Sequence, residues 1–173
     1  NVRHKATELG YITANADLTA ILTQSNPDAH IDFAALLCDA LPGLDRQPEL
    51  EDESQPLNLP VAPRLRHVVL LSGPARPGFV SPQGFALAAQ QVPAESVREL
   101  GRQVRLSDTA TIIYTSGTTA NPKGCMLSHE ALTRGPLERA TWRLSGDLSV
   151  YPDIHWGAGP LLHIGSLAPC LGA

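Results

Sequence analysis

Residues 109–129 read TATIIYTSGTTANPKGCMLSH, and this stretch decides how the rest of the chain is read. Thr109 to Tyr114 is apolar, β-branched and free of proline, which predicts a strand. It runs straight into a polar loop in which Thr115, Ser116, Thr118 and Thr119 surround Gly117. Lys123 and Gly124 close that loop. Cys125-Met126-Leu127 then predicts a second short strand, and Ser128 is placed to cap a helix starting at His129. Hydroxyls and one lysine at the end of a buried strand suit a phosphate chain, and Gly117 lets backbone N–H groups come close to it. The stretch is not a Walker A loop, which needs its lysine after the second glycine, whereas Lys123 precedes Gly124. The same residues also suit a plainer structure, a Ser/Thr-rich hairpin in which Asn121 to Gly124 form an ordinary turn.

Working outward, short apolar segments alternate with helical ones. Thr7 to Ala14 predicts a short helix, and Leu18 to Thr23 a buried strand. Asp28 or Asp32 is placed to cap a helix that reaches about Ala40 and stops at Pro42-Gly43. Arg66 to Leu71 predicts another strand. Ser81-Pro82 opens a helix, and a further helix covers about Ala94 to Arg102. Gly135-Pro136 is expected to kink or break the helix that starts at His129. Between them, Asp45 to Arg64 carries four prolines with Glu49, Glu51, Asp52 and Glu53, which predicts a solvated, proline-rich linker over about 42–64. The alternation points to an α/β fold with mainly parallel strands and flanking helices, binding ligands at the carboxyl ends of the strands.

Composition narrows the function. A net charge of −4 argues against a nucleic-acid partner, which would call for a basic excess. The longest aliphatic run is about Val68 to Leu71, too short for a transmembrane segment, and no apolar region follows Asn1 to Lys5 as a secretion signal would require. Cys38, Cys125 and Cys170 are odd in number and form no CxxC pair, so neither a disulfide framework nor a zinc site is expected. All three sit in apolar sequence and are expected to be buried thiols in a cytoplasmic protein. The chain opens on Asn1 and its only methionine is Met126, which leads us to expect a fragment.

Residues 114–124 resemble the signature loop of adenylate-forming enzymes, whose usual form is YTSGTTGxPKG; ten of the eleven positions agree. Cys125 to His129 is similar to the segment after that loop in acyl-CoA synthetases. Downstream, Pro160-Leu161-Leu162-His163-Ile164-Gly165 resembles the PLFHxxG segment that borders the acyl pocket. Upstream, Asn1 to Arg3 with Glu8 to Ile12 resembles the NxR and ELxYI helix of fatty-acid and related acyl-CoA ligases. The chain departs from the pattern at Ala120, where the family usually has glycine.

The resemblance implies the large N-terminal domain of the acyl-adenylate-forming fold. Residues 1–173 would be an incomplete part of it, without the C-terminal domain and inactive alone. It implies a ligase that joins a carboxylic acid, a fatty acid by the character of the first helix, to ATP and then to coenzyme A, with Mg²⁺. Carried over position by position, Thr115, Ser116, Gly117, Thr118, Thr119 and Gly124 would cradle the phosphates. Lys123 would supply the catalytic charge, and which group touches the metal is not specified. His163 would border the acid, although a lone histidine in an apolar stretch is also an ordinary packing residue. Two other readings stand beside this one: an amino-acid or aryl-acid adenylating ligase, and a truncated nucleotide-binding module without catalysis.

Overall fold

The computed structural model describes residues 4–48, 55–115, 121–144 and 167. The chain forms two compact units, residues 1–99 and 100–173. Five helices and four strands are described: α1 Ala6–Asn15, β1 Ala20–Thr23, α2 Phe33–Ala40, β2 His67–Leu70, α3 Pro82–Gln90, α4 Ala94–Gln103, β3 Thr109–Thr115, β4 Lys123–Ser128 and α5 His129–Leu144. Among the described residues, no helix is long and apolar enough to cross a membrane.

The helices of the first unit start where the sequence supplies caps. The Lys5 backbone N–H donates to Glu8 Oε2 at 2.9 Å in the first turn of α1. That bond, with a smaller contribution from His4, holds the Glu8 carboxyl below its ordinary range. Asp32, not Asp28, caps α2: its carboxylate accepts from the Ala34 N–H at 3.2 Å and the Asn26 N–H at 3.3 Å, and it pairs with Arg76 at 3.1 Å. Ser81 caps α3 by accepting from the Gly84 N–H at 3.1 Å, with Pro82 in the first helical position.

Strands β1 and β2 pair in parallel, in a register running from Ala20 opposite His67 to Thr23 opposite Leu70. Val80 continues this small sheet through a parallel bridge to Val69. Around it Leu37, Leu41, Leu44, Leu57, Leu59, Leu65, Val68, Leu70 and Phe79 form the buried core.

The core corrects the expected solvated linker. Leu57, Leu59 and Ala62 are no more than 2% exposed, and the Leu57 N–H donates to the Arg66 carbonyl at 2.8 Å. Prolines keep this segment irregular, but its leucines still gain from burial at about 25 cal/mol per Å². The acidic residues Glu49, Glu51, Asp52 and Glu53 lie outside the described residues.

In the second unit β3 and β4 pair antiparallel, from Thr109 opposite Ser128 to Thr115 opposite Lys123, with an irregularity between Thr109 and Thr111. The expectation of mainly parallel strands is therefore corrected here. The reason is length: only residues 116–122 join the two strands, and a parallel crossover needs about a dozen residues or more. Helix α5 packs against both strands and buries Leu132. Ser128 caps it as expected, accepting from the Ala131 N–H at 3.2 Å. The helix runs through Gly135-Pro136 without breaking. A proline there removes a single backbone donor, and the turns on either side carry the helix across.

Candidate phosphate-binding hairpin

The turn before β3 is closed by Asp108, whose carboxylate accepts from the Arg105 N–H at 2.8 Å. Strand β3 then extends to Thr115, and β4 begins at Lys123. The two residues stand directly opposite each other at the root of the loop. Thr115 Oγ1 donates to the Lys123 carbonyl at 3.4 Å, a long bond that uses the backbone of Lys123 and not its ammonium. Both residues are exposed. Among the described residues, no carboxylate pairs with Lys123.

Opposed residues in an antiparallel pair share a face, and successive residues alternate. Thr115 and Lys123 therefore occupy one face of the hairpin, and Tyr114 and Gly124 the other. Lys123 and Gly124 belong to the strand itself, so the four-residue turn from Asn121 to Gly124 does not form. Asn121 is exposed and Pro122 is buried beside it. Of the sequence-predicted site residues, Thr115, Lys123 and Gly124 are thus brought together. Ser116, Gly117, Thr118, Thr119 and His163 lie outside the described residues, as does Ala120.

The donor chemistry near the loop root is one cation and one hydroxyl. Among the described residues, no three His, Cys, Asp or Glu side chains gather, so these residues build no carboxylate cage for Mg²⁺. A groove of about 430 Å³ lies along α5, lined by Ser128, Glu130, Ala131, Arg134, Gly135 and Glu138. Its charged lining is Glu130 paired with Arg134, and Glu138, a net negative set that disfavours phosphates. Ser128 is also at the far end of β4 from Lys123, roughly 17 Å along the strand.

Two features depart from the sequence reading. Cys125 is exposed, not buried, because the strand sets it among residues that α5 leaves uncovered. Cys38 is half-buried, and burial pushes its thiol up; Cys170 lies outside the described residues. Tyr114 was missed. Its ring lies against Gly124, and the available signal was an aromatic residue and a glycine symmetrically placed about a short loop.

Comparison with known proteins points to one family. The long-chain-fatty-acid–CoA ligase ACSBG1 of Macaca fascicularis is 29% identical over 128 residues, covering 72% of this chain and 17% of that ligase. The ligase ACSBG2 of Gallus gallus is 41% identical over 58 residues, covering 34% of this chain and 8% of that protein. The nonribosomal peptide synthetase NPS2 of Ceriporiopsis subvermispora is 28% identical over 133 residues, covering 75% of this chain and 5% of the synthetase. The chain thus spans less than a fifth of the length of the curated relatives it matches. The pattern of the AMP-binding enzymes matches residues 1–173, and the chain belongs to the AMP-binding enzyme family.

Proposed function

We propose that the full-length protein activates a carboxylic acid with ATP and transfers it to coenzyme A, a fatty acid being the favoured substrate. The observation that carries this reading is the hairpin root, where a lysine that pairs with no carboxylate among the described residues stands opposite a threonine at the ends of a hydroxyl-rich sequence. In the first step the acid's carboxylate oxygen attacks the α-phosphorus of ATP and pyrophosphate leaves, giving an acyl-adenylate. In the second, the thiol of coenzyme A attacks the acyl carbon, loses its proton and displaces AMP.

Both partners in the first step are anions, so catalysis rests on positioning and charge neutralisation. Lys123 offers its ammonium to the leaving pyrophosphate. The hydroxyls of Thr115, Ser116, Thr118 and Thr119, and the backbone around Gly117 and Gly124, donate to the phosphate oxygens. His163 borders the acid. Mg²⁺ held by the nucleotide's own phosphates would neutralise part of their charge. On this reading residues 1–173 belong to the large N-terminal domain.

The fatty-acid preference is supported by the ligases named above and by the ELGYI sequence at residues 8–12 in α1. The peptide synthetase match, at similar identity, favours a second reading in which the acid is an amino acid. ATP–pyrophosphate exchange by the full-length protein separates them across long-chain fatty acids, aryl acids and amino acids. Exchange with fatty acids, followed by thioester formation with coenzyme A, is expected. Exchange with amino acids alone would replace the first reading by the second, and no exchange with any acid would end both.

A further inference from the structure

Gly124 stands directly opposite Tyr114 in the β3–β4 ladder. A Cβ placed on Gly124 would lie 3.0 Å from Tyr114 Cζ, 3.3 Å from the Tyr114 hydroxyl oxygen and 2.9 Å from Ile112 Cγ2. The outer end of the phenol ring therefore occupies the space that a side chain on Gly124 would take. Such packing of an aromatic ring over a cross-strand glycine restores contact that glycine lacks and favours one pairing. Ile112 takes part from the neighbouring position on the same face, so two side chains close over one backbone site.

The other face of the hairpin carries Thr115 and Lys123. The side-chain period of a strand is two, so a slip of one residue would carry Lys123 to the opposite face. A hairpin with a seven-residue connection has no two-residue turn to fix its register. Something else must do so, and the only glycine in β4 sits where the ring covers it.

We propose that Tyr114, clasped over Gly124, is a positioning residue for the phosphate loop. It touches no phosphate. It holds the register that keeps Lys123 opposite Thr115 at the root of the loop. The inference rests on reading residues 114–124 as that loop, and it adds the element that orients the lysine.

The test uses ATP–pyrophosphate exchange by the full-length protein, with the acid that supports the fastest rate. Tyr114→Phe keeps the ring over Gly124 and should keep the wild-type KM for ATP. Tyr114→Ala and Gly124→Ala should each raise the KM for ATP about tenfold, as a misplaced lysine would, while the KM for the acid stays unchanged. General damage to folding would instead lower kcat at constant KM. Tyr114→Leu, which keeps apolar bulk but loses the flat ring, should show the same rise and guards against an alanine variant that does not fold. A wild-type KM for ATP in Tyr114→Leu, or a loss confined to kcat, would overturn the proposal. Wild-type protein without exchange would overturn the loop reading beneath it, a result seen before any variant is made.

Discussion

Replacing Lys123 by alanine removes the cation at the loop root and spares the hairpin. The pairing with Thr115 runs through the backbone, and Thr115 Oγ1 donates to the Lys123 carbonyl, which alanine retains. Two unit charges 4 Å apart interact by about 1 kcal/mol in bulk water and by about 4 kcal/mol at an effective dielectric of 20. An exposed lysine meeting a bound triphosphate falls between these limits, so the variant should lose about 2 kcal/mol, or roughly 30-fold in kcat/KM for ATP, read mainly as a raised KM for ATP. Among the described residues, no carboxylate pairs with Lys123, so its removal leaves no stranded partner to add a separate cost. The assay is ATP–pyrophosphate exchange by the full-length protein at saturating acid. Lys123→Arg retains the charge and should recover most of the rate. Added salt should narrow the gap between wild type and alanine variant, because exposed charges are screened. An alanine variant as fast as wild type at low salt would refute the assigned role. So would a gap that salt leaves untouched.

Three further outcomes test the fold. Gly78 has φ +79°, and a Cβ there would lie 2.1 Å from the Leu44 carbonyl oxygen, so Gly78→Ala should destabilise the protein by about 3 kcal/mol in denaturant unfolding; an unchanged midpoint would contradict the packing. Asp32→Ala loses the cap of α2 together with the Arg76 ion pair and should cost about 2 kcal/mol, whereas Asp32→Asn keeps a capping oxygen and should recover about half. Alkylation followed by mass spectrometry should modify exposed Cys125 before half-buried Cys38. Burial raises the Cys38 pKa, so its thiolate fraction should keep growing with pH after an ordinary thiol has levelled off, and equal rates at the two cysteines would contradict the burial pattern.

The elements that the sequence announces through caps and periodicity appear where expected. Ser81, Asp32 and Ser128 each accept from a backbone N–H two or three residues on, and these bonds depend on local chemistry alone. The segment around Leu57 and Leu59 was harder to read, because prolines and acidic residues mark a loop while the leucines mark a core. Burial decides it, and burial depends on Val68, Leu70 and Phe79, which lie beyond any local window. The exposure of Cys125 was illegible for the same reason: a short apolar strand looks buried until it is known how much of it other elements cover, and Lys123 to Met126 are exposed on both faces.

At the site, residue types pointed to Thr115 and Lys123 and the family resemblance added Gly124, but neither showed how the backbone brings them together. The sequence left a phosphate loop and a Ser/Thr-rich hairpin as alternatives. Their opposition dissolves once β4 is seen to start at Lys123. Antiparallel pairing of Thr115 with Lys123 pins the two ends of the loop about 5 Å apart. The same pairing sets Lys123 across from Thr115. A hairpin is therefore compatible with the proposed phosphate site, because it sets a cation and a hydroxyl opposite each other at its root. On the proposed reading, Tyr114 and Gly124 fix the hairpin's register and so contribute to phosphate binding without touching a phosphate.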